Sequence, residues 1–416
     1  MKPTLLIAFR FFVESKRAMI MSSLGVVFGV GFFIVGQAQT EGFQTYFIQT
    51  ILGSKGALLV SDRFQETYSD ILQKDGKSVV AVSNPQARKY YPGINEAFRI
   101  MRIIRTFPNV SSCASIVEKN VFIRSGFRSE PCIMQGIILE DHMEATDFVS
   151  QINSGFIEDF RDNPDAVAIG IQLRDKLEVR LGQNVYLTTG PDKEPRKFKV
   201  TNTFETGINY IDEKRIYVHR RAAQTAIQDP FLTSYILVQL HNPERAAQDA
   251  KAIMDLIHHN TRTWQEREKG NLQIFAAIRI SAAVGVSCII LLAGFGIFNI
   301  LTMSVLDKIK EIAILRSMGY TAQDISSIFV YQGLCIAFVG ITLGCGLGAV
   351  LTWSVSKIPL KIRGIFKADH FMVQWELEHY ILAATLGLAS VFIASYIPAI
   401  RAARIKPVDI LRGSSS

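Results

Sequence analysis

Hydrophobic positions along the chain collect in four long runs separated by stretches of mixed character. Ala18 to Thr40, Ile280 to Leu306, Ile325 to Ser356 and Tyr380 to Ile400 contain no Asp, Glu, Lys, Arg or His. Each exceeds the roughly 20 residues a helix needs to cross a hydrocarbon core. Four such runs predict four membrane spans, because a buried helix of a soluble protein rarely stays apolar on every face for that length. The long interval between the first and second runs has a different pattern. Short apolar and β-branched runs predict strands at Ala57 to Val60, Val79 to Val82, Val121 to Arg124, Cys132 to Leu139, Asn184 to Thr188, Lys197 to Thr201 and Tyr235 to Leu240. Helical spacing is read over Ala166 to Leu181, from Ile169, Leu173 and Leu177, and over Pro243 to His258, where Pro243 opens the helix. Gln73 to Gly93 is polar and turn-rich and reads as an exposed excursion. The fold class is therefore an α-helical membrane protein with four transmembrane helices plus a large extracytoplasmic α+β domain inserted between the first and second spans.

Charge sets the orientation. Lys2, Arg10, Lys16 and Arg17 precede the first run, and Arg401, Arg404, Lys406 and Arg412 follow the last. Short flanks rich in Lys and Arg stay cytoplasmic, so both termini are expected inside. The expected order is an amphipathic N-terminal helix over 1–17 (Leu5, Leu6, Phe9, Phe12 and Val13 on one face), spans at 18–40, 280–306, 325–356 and 380–400, an outer domain at 41–279, an inner loop at 307–324, an outer loop at 357–379 and an inner tail at 401–416. Lys357, Lys361, Arg363 and Lys367 fall in the outer loop, against the charge rule. The net charge of +8 lies partly at these membrane edges and forms no basic stripe interleaved with aromatics, which argues against nucleic acid as a partner.

Candidate chemistry is sparse. Gly76-Lys77-Ser78 lacks the earlier glycine of a phosphate-binding loop, since position 71 is Ile. The seven histidines are scattered and show no metal-ligand spacing. Spans without ionisable residues offer no ion or proton path. Cys113 and Cys132 lie in the outer domain, where they could form a disulfide or remain two buried thiols. Gly25 and Gly29 in the first span, and Gly340, Gly344 and Gly348 in the third, recur every four residues and suit close helix packing. The inner loop carries the most informative segment. Ile309, Ile312, Ala313, Leu315 and Met318 give a short amphipathic helix, Lys308, Lys310, Glu311 and Arg316 take its wetter side, and Gly319 can cap it. Such a helix can dock into a groove on a cytoplasmic protein.

Two motifs carry a resemblance. Glu311-Ile-Ala-Ile-Leu-Arg-Ser-Met-Gly319 is similar to the E-I-x-I-L-R-x-x-G segment of ABC-transporter permeases of the MacB/FtsX superfamily, and Pro398-Ala-Ile-Arg-Ala-Ala-Arg-Ile-Lys-Pro-Val-Asp-Ile-Leu-Arg412 to that family's closing P-A-x-x-A-A-x-x-x-P-x-x-x-L-R. Softer features resemble lipoprotein-releasing membrane subunits of the LolC/LolE type: basic and aromatic residues around Arg10, Glu41-Gly42-Phe43 in place of N-G-F, Ala168-Ile-Gly170 with Leu177, Gly182 and Val185, and Trp264 before the second span.

The resemblance implies a permease subunit without catalytic residues, in the bacterial inner membrane, with ATP and Mg used by a separate LolD-like ATPase and no cofactor bound by this chain. It also implies a second permease subunit, identical or related, a lipoprotein substrate and a periplasmic lipoprotein carrier. On that reading Lys308, Lys310, Glu311, Ile312, Ile314, Leu315, Arg316 and Gly319 couple to the ATPase. Phe28, Phe32, Phe33 and Phe43, with Phe295 and Phe298, would meet acyl chains that enter between the first and second spans of paired subunits. A MacB-like export permease and an FtsX-like subunit that controls a cell-wall hydrolase are the alternatives.

Overall fold

The computed structural model describes residues 7, 8, 10, 16–62, 93–190, 193–359 and 370–404. The chain divides into two compact units: a helical one formed by Met1–Tyr46, Gln273–Leu360 and Asp369–Ser416, and an α/β one formed by Phe47–Leu272 and Lys361–Ala368. The expected strand at Val79 to Val82, the excursion at Gln73 to Gly93, the Gly76-Lys77-Ser78 segment and most of the N-terminal helix lie outside the described residues.

Among the described residues, four helices are long and apolar enough to cross a membrane. They are α1 (Lys16–Lys55) and α2 (Lys269–Asp307), then, after the short α3 (Ile309–Ser317), α4 (Ala322–Ser356) and α5 (Leu377–Ala403). At 1.5 Å per residue, the 40 residues of α1 and the 39 of α2 run about 60 and 58 Å. A hydrocarbon core takes about 30 Å of that. The charge-free run ends at Thr40, but the helix does not: Glu41 and the amphipathic turns to Lys55 continue it.

Small residues decide how these helices meet. A Cβ on Gly340, Gly344 or Gly348 of α4 would stand 2.8, 2.8 and 3.0 Å from the Cβ atoms of Val26, Val30 and Ile34 on α1. A Cβ on Gly25 or Gly29 of α1 would come within 3.1 Å of Ala293 and 3.3 Å of Ile290 on α2. The glycine stripes are thus grooves that take a ridge of side chains every fourth residue from the neighbouring helix. Val30, Phe33, Ile34, Ile297, Leu301, Ile336 and Val391 fill the core between them. Large side chains such as Leu24, Phe28, Leu291, Phe295, Phe338, Leu343, Ile381 and Ile393 stay exposed on the outside, a continuous apolar surface that suits lipid rather than water. Lys357, just past α4, sets its ammonium 4.1 Å above the Trp353 ring, the pairing of cation and aromatic typical of a membrane interface. Lys361, Arg363 and Lys367 of that loop are outside the described residues.

The α/β unit is organised around one long strand. Ten strands are found among the described residues: β1 (Leu58–Ser61), β2 (Val110–Ser125), β3 (Arg128–Ile137), β4 (Ile152–Ser154), β5 (Ala166–Gly170), β6 (Asn184–Thr188), β7 (Arg196–Phe204), β8 (Arg215–His219), β9 (Tyr235–Leu240) and β10 (Asn260–Thr263). They are ordered β10-β1-β9-β2-β3-β8-β5-β7-β4, with β6 bridging β2 and β7. The first half of β2 pairs with β9 and its second half with β3. Two cores follow. One packs Val117, Ile123, Cys132, Met134, Ile169, Val185, Phe198 and Val218. The other packs Leu58, Val60, Ile100, Cys113, Ile236, Val238, Ile253 and Trp264. At the junction Gln135 Nε2 donates to Glu118 Oε2 and to the Tyr235 hydroxyl, each at 2.7 Å, and Tyr235 donates to the same carboxylate at 2.8 Å.

The expected helix over Ala166 to Leu181 is corrected. Ala166–Gly170 is a strand buried on both faces, and only Ile171–Leu177 is helical. Asn184 to Thr188 and Tyr235 to Leu240 are strands with the expected limits, and the expected helix at Pro243 begins as a 3-10 turn, Pro243–Arg245, before the helix Ala246–Ile257. The open question about Cys113 and Cys132 closes on register. Cys132 faces Val121 across β2 and β3, while Cys113 lies eight residues earlier on β2, about 26 Å away at strand rise. A disulfide tolerates roughly 7 Å between Cα atoms. Both are buried free thiols, and burial pushes Cys132 up to about 12.

One buried group in this unit makes stability pH-dependent. His142 is 1% exposed, with its ring 5.2 Å from Tyr217 and 5.4 Å from Phe148. Burial, helped by the nearby Arg215 guanidinium, lowers it from 6.5 to about 3. Below pH 6.5 the unfolded chain binds a proton that the folded unit refuses. The contribution is therefore whole above that pH and is lost as pH falls toward 3. The limiting slope is about 1.4 kcal/mol per pH unit. His142→Leu should flatten this slope and leave neutral-pH stability nearly unchanged, since the buried Nδ1 has no hydrogen-bond partner to lose. Pulse proteolysis of both proteins between about pH 7 and pH 5 measures it; parallel curves would show that another group titrates.

Candidate functional site: a rigid helical elbow between the second and third spans

The turn from α2 into α4 is fixed at every residue. α2 ends at Asp307, and Lys308 starts α3 with its ammonium 2.8 Å from Glu311. Exposed pairs at this spacing contribute only tenths of a kcal/mol, so the burial beneath α3 matters more. Ile312 and Ala313 are 1% and 0% exposed and pack with Ala8, Val305, Ile325, Ile328, Phe329, Ala399 and Ala402. Ala399 and Ala402 belong to the closing motif of the chain, which therefore forms the seat of α3. Leu315 and Tyr320 pack against the same cluster.

Gly319 ends α3 at φ +96°, in the left-handed region that favours glycine. Gly319 N–H donates to the Arg316 carbonyl and Tyr320 N–H to the Leu315 carbonyl, each at 3.2 Å. This is the paired reverse bonding of a Schellman stop, with the usual contact between the residues flanking it. Two residues later Thr321 and Asp324 cap α4 reciprocally, Asp324 N–H to Thr321 Oγ1 at 3.2 Å and Thr321 N–H to Asp324 Oδ2 at 2.8 Å. Helix, stop and start follow without a loose residue between them.

The expected coupling residues separate on this frame. Ile312 and Leu315 hold α3 down, Gly319 shapes its end, and Arg316 is half-buried. Lys310, Glu311 and Ile314 face outward, Ile314 at 51% exposure. Met318, expected on the apolar side, is instead 72% exposed, because the stop at Gly319 turns the chain away before its side chain reaches the cluster. The outer face therefore offers two apolar side chains among charges, and neither is needed to hold the elbow together.

The six phenylalanines do not form one surface. Phe28 and Phe32 stack on an exposed face of α1 with ring centroids 6.2 Å apart. Phe33 is 1% exposed in the core between the helices. Phe43 meets Phe275 at 6.3 Å. Phe295 and Phe298 line an apolar groove of about 340 Å³ between α2 and α5, with Gly294, Ser390 and Ile397.

The ends of α1 and α2 that belong to the α/β unit are tied together within it. Arg267 donates to the carbonyls of Lys55, at 2.9 Å, and of Gly56, and Lys55 pairs with Glu268 at 3.1 Å. Trp264 N–H donates to the Ala57 carbonyl at 2.9 Å, and β1 pairs with β10 from Leu58 opposite Thr263. Sequence reasoning noted Trp264 and missed Arg267, whose role depends on carbonyls more than two hundred residues earlier.

Comparison with known proteins places these features. A family model described as MacB-like periplasmic core domain matches residues 19–256, and one described as FtsX-like permease C-terminal matches residues 283–407. The chain is 25% identical over 414 residues to the lipoprotein-releasing system transmembrane protein LolC of Xylella fastidiosa, covering 94% of this chain and 92% of that one. It is 22% identical over 418 residues to the corresponding protein LolE of Haemophilus influenzae, covering 94% and 93%. Among solved structures, the periplasmic region of MacB from Actinobacillus actinomycetemcomitans aligns with 55% of this chain and 98% of its own length, at 11% identity and a TM-score of 0.35.

Proposed function

Since this chain belongs to the MacB/FtsX family of ABC-transporter permeases, we propose that it releases lipoproteins from the outer leaflet of the inner membrane toward a periplasmic carrier. The work comes from ATP and Mg on a separate cytoplasmic ATPase, and the chain pairs with a second permease subunit, identical or related. Both termini are cytoplasmic in this reading. The long match to LolC and LolE supports the lipoprotein substrate.

The observation that carries the mechanism is the elbow. Lys310, Glu311, Ile314 and Met318 point outward from a helix whose other face is seated on the ends of α2, α4 and α5. A groove on the ATPase that takes Ile314 and Met318 moves α3 when two ATPases close, and α3 moves the long helices with it. α2 then transmits the displacement toward its outer end. Nothing in this scheme needs a polar path through the spans. The substrate's acyl chains are drawn from the bilayer past exposed aromatic faces such as Phe28 and Phe32, and closure pushes them out.

Ile314→Asp should weaken ATPase binding by about 30-fold or more, the loss of an apolar anchor of about 2 kcal/mol. Glu311→Lys should weaken it less. The measurement is co-purification of the ATPase from native membranes, with identification of any lipid-modified protein trapped alongside. Undiminished recovery with Ile314→Asp rules against the elbow as the docking site. A fully assembled complex that traps no lipidated protein, but does trap an export adaptor, moves the reading to a MacB-like permease.

A further inference from the structure

A second cluster lies within the helical unit, far from the elbow along α1, and the proposed function does not use it. Glu41 sits on α1, Glu376 immediately precedes α5, and His379 lies in its first turn. A carboxylate oxygen from each glutamate and a ring nitrogen of His379 lie within 4.8 Å of one another. Sequence separation hides this: Glu41 and His379 are 338 residues apart, yet His379 Nε2 contacts a Glu41 carboxylate oxygen.

The surroundings hold the three in place. Gln374 N–H donates to the Ala38 carbonyl at 2.9 Å, which lays the segment before α5 along α1. Gly42 is there for clearance, since a Cβ would come within 2.6 Å of the Met372 carbonyl oxygen. The Gln374 side-chain amide reaches Glu376 Oε1 at 3.4 Å.

Among the described residues the charges of the cluster are unbalanced without a cation. Two carboxylates converge on one imidazole, and among the described residues no lysine or arginine pairs with any of the three. His379 is 6% exposed, and its Nδ1 is buried without a hydrogen-bond partner. Two carboxylates brought together beside a buried imidazole repel each other, and a divalent ion would neutralise both.

We propose that Glu41, Glu376 and His379 form a binding site for a divalent transition-metal ion of the zinc class, clasping the start of α5 to α1. One imidazole with two carboxylates suits zinc better than magnesium or calcium, which take oxygen ligands alone. Zinc sits about 2.0–2.2 Å from such donors, so neighbouring ligand atoms stand about 3.3 Å apart in a tetrahedron. Binding would exchange the direct contact between His379 Nε2 and Glu41 for two bonds to the ion, and the Glu376 carboxylate would complete the set. Three protein ligands leave a fourth position for water. Gln374 is the outer residue that orients Glu376.

The test uses the full-length chain in detergent with its affinity tag removed, incubated with zinc chloride alone, desalted, and assayed for metal by mass spectrometry and for thermal stability. One zinc per chain should be retained with a raised melting temperature, and cobalt(II) in its place should give the visible spectrum of a nitrogen- and oxygen-ligated ion. Glu376→Gln and His379→Ala should each abolish retention, and Gln374→Leu should weaken it by about 10- to 100-fold. His370→Ala, a nearby exposed histidine, should change nothing. Should His379→Ala fail to fold, Glu376→Gln keeps the imidazole and its contact with Glu41, and decides alone. Wild-type protein that retains no zinc overturns the proposal and leaves Glu41 and His379 as a hydrogen-bonded pair. Zinc retained equally by wild type and Glu376→Gln overturns it too, as does full displacement by equimolar magnesium.

Discussion

The lipoprotein release proposed above is expected to be abolished by Ala277→Pro while the proposed ATPase stays bound and continues to hydrolyse ATP. Ala277 lies in α2, between the residues of the α/β unit and the charge-free run, and its side chain is exposed. The substitution therefore removes no packing. Its effect is on the backbone: proline loses the bond to the carbonyl four residues earlier and clashes with it, at a cost of about 3 kcal/mol or more, relieved by a kink. If α2 carries the displacement of α3 outward, a kink there absorbs it. Ala277→Gly loosens the helix by about 1 kcal/mol and should lower release partially, and Ala277→Ser should be close to silent. Release of a radiolabelled lipoprotein from proteoliposomes, measured beside ATP hydrolysis, separates the two functions. Full release by Ala277→Pro at normal hydrolysis would mean that α2 is not the lever.

The second large effect is expected at Gly344. Its place on α4 is occupied from the other side by Val30, which is 0% exposed and also lies 3.2 Å from where a Cβ on Gly387 of α5 would stand. Val30 is thus a knob between two glycines on different helices. A Cβ on Gly344 would meet the Val30 Cβ at 2.8 Å and the Val27 carbonyl oxygen at 3.0 Å, and the backbone contact cannot rotate away. Gly344→Val should destabilise the helical unit by about 3 kcal/mol, the upper end of overpacking in a close-packed core. Val30→Ala should restore part of that loss in the double variant, which a thermal melt in detergent would record. Gly346, two residues along the same helix, has open space around its Cβ position, so Gly346→Val should be nearly neutral. Equal losses at Gly344 and Gly346 would show that helix propensity, not the groove, explains the stripe.

The four spans were legible because a run without charges has one explanation at that length. Asn184–Thr188 and Tyr235–Leu240 were legible because they are short, β-branched and bounded by polar or turn residues. Ala166–Gly170 was misread for a physical reason. Buried on both faces, it has no alternation, and Ile169 continues into Leu173 and Leu177 at helical spacing across the junction. Arg215–His219 went unseen because its charged ends mask a core strand that pairs in parallel with β3 and antiparallel with β5. The elbow was visible as an amphipathic pattern, but not which of its apolar residues stay outside. That depends on where Gly319 turns the chain. The Glu41, Glu376 and His379 cluster left no local trace, since its members meet only after the helices pack.

The pairing of β2 with β9 along its first half and β3 along its second has a consequence for biogenesis. Among the described residues, Val110–Ile116 has no strand neighbour but β9, and β1 has none but β9 and β10, whose residues are made more than a hundred positions later. While the chain emerges, the second half of β2 can already close on β3 through a two-residue turn, and the first half stays a bare edge. Contacts of such long sequence separation form slowly, and an open edge of apolar strand is prone to pair with the wrong chain. A nascent chain stalled before Tyr235 should therefore be held by chaperones, and released from them only once β9 has been delivered.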